Sequence, residues 1–299
     1  MVRFGVHVGP QECSMAELRS VWQRAEELGY EWISVWDHFY GATRGVDQDC
    51  FEAISCHAAL AATTSSARVG CLVYSAGFRH PSVMAKAAVT IDHLSGGRLE
   101  LGLGAGWHEP EYRAFGIEFE SPAVRLRRLR EYVEIIRALL TQDRVDYHGE
   151  FWTIDDAVCR PAPLQKAPPI WVGASGPRAL AQAGAIGDGW NVAFVSPEKF
   201  ASQVEIVRAN APDPSRLATG VNLAPVSRHR DLEADLRQKF GPAWSSVAQG
   251  ALHGTTAEIT DRVGRYVESG VDWVILALRA PFDIEAIEHF ATDVAPSFR

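Results

Sequence analysis

No stretch of this chain stays apolar for long enough to cross a bilayer. The longest run of hydrophobic residues and glycine is Leu101–Trp107, and a membrane helix needs about 20 residues. Cysteine is sparse: Cys13, Cys50, Cys56, Cys71 and Cys159 are scattered, odd in number and contain no C-x-x-C pair. That pattern excludes a disulfide framework and points to free thiols in a reducing compartment. Basic residues are outnumbered, 29 Lys and Arg against 37 Asp and Glu, and a net charge of -8 argues against a nucleic-acid partner. Zinc spacings such as H-E-x-x-H do not occur, so no metal site is expected. Neither does a G-x-x-x-x-G-K-[ST] phosphate loop, nor a G-x-S-x-G nucleophile turn, since Ser175 is followed by Gly176 and Pro177. Val2 to Val6 start a strand-like run rather than a leader, so a cytoplasmic protein is expected.

What is present is ordinary globular material. Of 299 residues, 47% are hydrophobic and 22% charged. A chain of this length can bury about three-quarters of its unfolded surface and needs no covalent staples. The length alone fits two average domains or one large α/β barrel. Patterning decides between them. Short apolar runs near residues 5, 34, 71, 101, 171, 191, 221 and 275 read as eight strands, separated by helical periodicity. Met15–Leu28 is the first helix, stopping at Gly29, and Pro81–Leu94 is the third, opened by proline and closed by Gly96-Gly97. Strands apolar on both faces and separated by helices mean a parallel sheet. Eight such units predict a closed α/β TIM barrel over residues 1–299. Residues 141–169, a hairpin followed by a segment with four of the 16 prolines, form an excursion before strand five.

Barrels of this kind place their chemistry at the C-terminal ends of the strands. Those ends carry His7, then Trp36-Asp37-His38-Phe39-Tyr40, Tyr74-Ser75, Gly102–Glu109, Gly173–Pro177, Asn191 and Arg279. Taken singly, each has an ordinary structural explanation: Asp37 can cap a loop, and Cys71 in an apolar run reads as an inert core thiol. Convergence on one rim is what points to function. Gly102-Leu-Gly104-Ala-Gly106 is half of a dinucleotide fingerprint, but the third glycine falls on Trp107, so these glycines fit close approach of a flat ligand better. Gly173-Ala-Ser175-Gly176-Pro177 follows a strand and opens a helix, the place for a phosphate on free N–H groups; it also fits a plain tight turn.

These residues form a recognisable set. Arg79-His80-Pro81, Met84-Ala85-Lys86, Asp92–Leu99 and Gly102–Trp107 resemble the luciferase-like monooxygenase superfamily, supported by Trp36–Phe39, Pro168–Gly173 and Gly187–Trp190. The tract Gly106–Glu111 and the Asp-His-Phe after strand two are most similar to the branch that uses the deazaflavin coenzyme F420, with flavin mononucleotide (FMN) as the alternative. The resemblance implies a non-proline cis peptide in a strand-three bulge, at Cys71-Leu72, beneath the ring. It implies Asp37 and His38 at the ring edge, Gly104, Ala105, Gly106 and Trp107 along its flank, and Ala174, Ser175 and Gly176 around the phosphate. The implied reaction is hydride transfer to or from a small organic substrate, in a homodimer. His38 is the first choice for moving the proton, because imidazole titrates near neutrality, and Glu109 is the second. His7, His80 and His108 are weaker choices, with His7 placed to shape the substrate side. Rival functions are an FMN-dependent two-component monooxygenase, a ligand-binding relative without turnover, and a hydrolase pairing Asp37 with Glu109. Substrate contacts are expected from Tyr40–Gln48 and Ala224–Gly254, with Tyr74 and Trp244 as aromatic candidates.

Overall fold

The computed structural model describes residues 1–41 and 47–299. The chain begins with β1 (Arg3–Val8), α1 (Met15–Glu27), β2 (Trp32–Val35), α2 (Ala53–Thr63), β3 (Arg68–Ser75), α3 (Pro81–Ser95) and β4 (Leu99–Gly104). Next come α4 (Glu109–Ala114), α5 (Pro122–Thr141) and an antiparallel hairpin of β5 (Val145–His148) and β6 (Thr153–Ala157). The alternation resumes with β7 (Ile170–Gly173), α6 (Pro177–Ile186), β8 (Gly189–Ala193), α7 (Pro197–Ala209) and β9 (Ala218–Pro225). It finishes with α8 (Leu232–Phe240), α9 (Trp244–Val247), β10 (Ala251–Leu252), α10 (Thr256–Glu268), β11 (Trp273–Leu278) and α11 (Ile284–His289).

Strands β1, β2, β3, β4, β7, β8, β9 and β11 pair in parallel in that order, and β11 returns to β1. The ring is the closed eight-stranded TIM barrel that the patterning predicts, and each of the eight expected positions falls in a barrel strand. β10 pairs only with the last residues of β9. No helix among the described residues is long and apolar enough to cross a membrane.

Local chemistry sets the helix ends. Ser14 and Thr255 form capping boxes with Glu17 and Glu258, and Ser121, Ser196 and Asp231 cap α5, α7 and α8. Helix α2 starts at Ala53 because the Glu52 carboxylate accepts the Ile54 and Ser55 N–H groups. The proline-rich segment is tied down, not loose. Buried Asp92 on α3 accepts hydrogen bonds from the Leu164 and Gln165 N–H groups and from Gln165 Nε2.

Inside the ring, alternate residues of each strand point inward. Trp32, Trp171 and Trp273 meet there, with ring centroids of Trp32 4.8 Å from Trp171 and 5.3 Å from Trp273. Facing positions have room only for glycine: a Cβ on Gly70 would lie 2.5 Å from Trp32 Nε1, and one on Gly189 2.5 Å from Trp171. Glu100 is buried beside them, accepting a 2.6 Å hydrogen bond from Trp171 Nε1 and pairing with Arg68.

Burial holds the Glu100 carboxyl above its ordinary range. The folded state therefore binds this proton more readily than the unfolded chain, and the site's contribution to stability falls as pH rises. Trp171→Phe keeps most of the volume but removes the N–H donor from the ionised carboxylate. Urea denaturation should show a loss of about 1–3 kcal/mol at about pH 8 and a smaller loss at about pH 5; equal losses at both would contradict the assigned bond.

Candidate active site

The strands taper from tryptophan to small residues, which opens a cavity of 670 Å³ at their C-terminal ends. It is bordered by His7, Trp36, His38, Leu72, Val73, Gly104, Gly173, Asn191, Asn222 and Arg279, one or more from the end of each barrel strand. A smaller pocket of 130 Å³ adjoins it, sharing Trp36, His38, Leu72, Val73, Gly106 and Trp107. A groove of 810 Å³ between α1 and residues 280–284 is larger but contains none of the expected site residues.

The bulge in β3 is present, one bond away from its expected place. The cis peptide is Leu72–Val73, not Cys71–Leu72, and the register against β4 shifts between Cys71 and Tyr74. Leu72 and Val73 border the cavity. Cys71 does not: it is fully buried in the core outside the ring, and burial, then the Asp37 charge, raise its thiol well above the ordinary value. Val73 leans over two glycines, and a Cβ at Gly104 or Gly173 would come within 2.6 or 3.0 Å of it. The two glycines thus make room for the Val73 side chain, which forms the wall on that side.

Asp37 is committed to its neighbours. Its Oδ2 accepts the Ser75 N–H at 2.9 Å and Arg79 Nη1 at 2.6 Å, and its Oδ1 accepts Arg79 Nη2 at 2.8 Å. This strut joins the ends of β2 and β3 and borders only the smaller pocket. His38, next in the chain, borders both. Its Nδ1 lies 2.5 Å from Glu111 Oε1, while Glu111 Oε2 accepts the Phe39 N–H at 2.6 Å. Glu111 is wholly buried. With Nδ1 engaged, Nε2 is the nitrogen left for the cavity.

Glu109, the carboxylate singled out by sequence, is half-exposed and pairs with Arg113 at 2.7 Å, away from the cavity. Two residues along a helix turn a side chain by about 200°, so Glu109 and Glu111 face opposite ways. The signal for Glu111 was its place in the same tract, three residues after His108. His108 stands 4.0 Å from Glu111 and is lowered from its ordinary pKa by burial. His80 caps α3 instead, its Nδ1 accepting the Ser82 N–H.

Gly104, Ala105, Gly106 and Trp107 run along one wall. The Gly106 carbonyl accepts Arg125 Nη1 at 2.6 Å, which holds the turn. Trp107 is 64% exposed and meets the His38 ring edge-on at 5.6 Å, so it overhangs the mouth. Across the cavity lie Ala174, Ser175 and Gly176 at the start of α6, with Lys199 nearby. No side chain caps α6. The third wall holds His7, bonded through Nδ1 to Ser34 Oγ at 2.9 Å, and Arg279 between the Trp36 and Phe240 rings. Burial, then Arg279 and His38, lower His7 to about 3, and burial lowers Arg279 to about 9. No Asp or Glu borders the main cavity among the described residues.

The segment Ala224–Gly254 supplies Phe240, Val247 and Gln249 to the cavity. Of the other expected segment, Tyr40–Gln48, residues 42–46 lie outside the described residues. Neither aromatic candidate borders the cavity: Tyr74 is buried with its hydroxyl 2.9 Å from His57 Nδ1, and Trp244 packs under Arg237.

Residues 1–245 match the luciferase-like monooxygenase family. An FMNH2-dependent dimethylsulfone monooxygenase from Pseudomonas putida is 28% identical over 257 residues, 85% of this chain and 69% of that protein. An F420-dependent glucose-6-phosphate dehydrogenase from Kineococcus radiotolerans is 33% identical over 190 residues, 63% of this chain; the match spans just over half (56%) of that relative. A solved F420-dependent secondary alcohol dehydrogenase, in complex with an F420–acetone adduct, superposes with a TM-score of 0.85 at 19% identity, covering 100% of this chain and 99% of that one. The F420-dependent tetrahydromethanopterin reductase of Methanopyrus kandleri gives the same TM-score and coverage at 20% identity. Those two structures speak for the barrel alone, whereas the family match runs through most of the chain and takes in β1 to β9 with the ends that border the cavity. The chain belongs to the luciferase-like monooxygenase family.

Proposed function

We propose that this protein is an F420-dependent oxidoreductase that exchanges a hydride with a small organic substrate. The observation that carries the reading is the His38–Glu111 pair: a buried carboxylate holding an imidazole at the cavity wall, beside the Leu72–Val73 bulge. The residues present fit such a coenzyme. Leu72, Val73 and Gly104–Trp107 border the cavity where the ring would lie, and the uncapped start of α6 with Lys199 suits an anionic tail. A cavity bordered by Lys199 and Arg279, and by no carboxylate among the described residues, draws an anion locally in a chain of net charge -8.

When bound, F420 supplies a ring carbon that carries hydride and reacts poorly with oxygen. The chain's own residues manage the proton and the geometry. The Glu111 carboxylate accepts the His38 Nδ1 hydrogen and so fixes the tautomer, leaving Nε2 to take a proton from a substrate hydroxyl or, once protonated, return one to a carbonyl. Asp37 and Arg79 hold the backbone on either side of His38 and Ser75 in place. Trp107 screens the His38 edge from water.

A second reading, a monooxygenase working on reduced FMN from a separate reductase, is favoured by the longer match to the Pseudomonas putida enzyme. Fluorescence titration of the protein with F420 and with FMN separates the two. Saturable F420 binding with weak or absent FMN binding is expected, and the reverse would overturn the proposal. With an alcohol or ketone that supports F420 turnover, His38→Ala should lower kcat about 10²–10⁴-fold while coenzyme affinity changes little. Glu111→Gln should act in the same direction but more weakly. Undiminished kcat in His38→Ala would remove His38 from the reaction.

A further inference from the structure

His7 is not used by the mechanism above, yet it borders the same cavity at the end of β1. Its register partner across β1 and β2 is Ser34. Ser34 is buried, and the His7 ring is the one hydrogen-bond partner of its hydroxyl among the described residues. A buried hydroxyl hydrogen goes to the acceptor within reach, so Ser34 donates to Nδ1 and the imidazole hydrogen sits on Nε2. The opposite arrangement would strand the serine hydrogen without an acceptor.

Burial, helped by the groups facing this ring, favours its uncharged form. Burial is the largest cause, and Arg279 from beyond β11 and His38 from beyond β2 add to it, which brings the His7 pKa down to about 3. At working pH the ring is a fixed N–H donor and never a proton source. A second donor lies in the same cavity. Asn191 Nδ2 donates to Asn222 Oδ1 at 3.0 Å, which orients the Asn222 amide and leaves its Nδ2 hydrogens available. The faces of the Arg279 guanidinium are taken by Trp36 and Phe240, at 4.6 and 4.2 Å. The described lining offers no carboxylate to an ammonium group.

We infer that His7, set by Ser34, forms with Asn222 a donor subsite for an uncharged oxygen of the substrate, a carbonyl or hydroxyl group, and that His7 is a specificity-determining residue for the reaction. The inference rests on the reading above and deepens it by naming the substrate class of the same cavity. Roles divide accordingly: His7 holds the oxygen, and His38 exchanges the proton.

The test uses three probes that share one ring, cyclohexanone, cyclohexanecarboxylate and cyclohexylammonium, each added to the full chain carrying ¹⁵N-labelled histidine. NMR of the unmutated protein should find the His7 hydrogen on Nε2, and cyclohexanone should shift that signal while cyclohexylammonium should not. His7→Phe should weaken cyclohexanone binding about tenfold, and His7→Gln, which keeps a donor, should restore most of it. A hydrogen found on Nδ1, equal cyclohexanone binding by His7→Phe, or a His7→Phe loss as large for the carboxylate as for the ketone would each overturn the inference. The tautomer measurement needs no variant, so it stands even where His7→Phe fails to fold. Because the probes are read without coenzyme, a failure to bind F420 leaves this result intact and counts only against the coenzyme reading.

Discussion

Three tryptophans inside the barrel decide where a ligand can go. Trp32, Trp171 and Trp273 fill the ring from within, and glycines opposite them leave no gap. The one buried carboxylate among them, Glu100, takes its hydrogen bonds from Trp171 and Arg68. Higher up the same strands, inward positions change to Gly104, Gly173, Asn191 and Asn222, and the packed interior becomes a cavity. The contrast between large side chains below and small ones above directs the chemistry to one face.

The mouth owes its shape to carboxylates that are used internally. Asp37 binds Arg79 and the Ser75 backbone, and Glu111 binds His38 and the Phe39 backbone, so the segment just after β2 is held through two acids. These acids border the smaller pocket, while the main cavity is lined by Lys199, Arg279, neutral His7 and two amides. An acidic chain thereby contains a cavity hospitable to anions and to oxygen-bearing molecules. Local placement matters more than the net charge of -8, because charges separated by more than about 10 Å of solvent are screened.

Much of the barrel was legible in one dimension. Strand positions follow from short runs such as Val69–Tyr74, and helix ends follow from side chains that reach only a few residues, such as Ser14 to Glu17. The strand-end glycines were legible for the same reason, since strand order alone assigns them to the rim. Other features depend on geometry that the residue types do not announce. Helix α2 is capped by Glu52, a residue type that does not advertise a cap. The cis bond falls at Leu72–Val73, and nothing in the run Cys71-Leu72-Val73 distinguishes its two bonds.

By itself, the sequence determined the eight βα units, the closed parallel ring and the group of residues at its C-terminal rim, because hydrophobic period and capping are local properties. Tertiary structure alone decided which carboxylate meets His38. Glu109 and Glu111 are near neighbours in the chain, but α4 turns one to solvent and buries the other against a residue 73 positions away. It also decided that Asp37 is a strut rather than a free acid, through its pairing with Arg79. A charged side chain's role depends on what packs against it, and that partner is selected by the closing of the barrel, not by spacing along the chain.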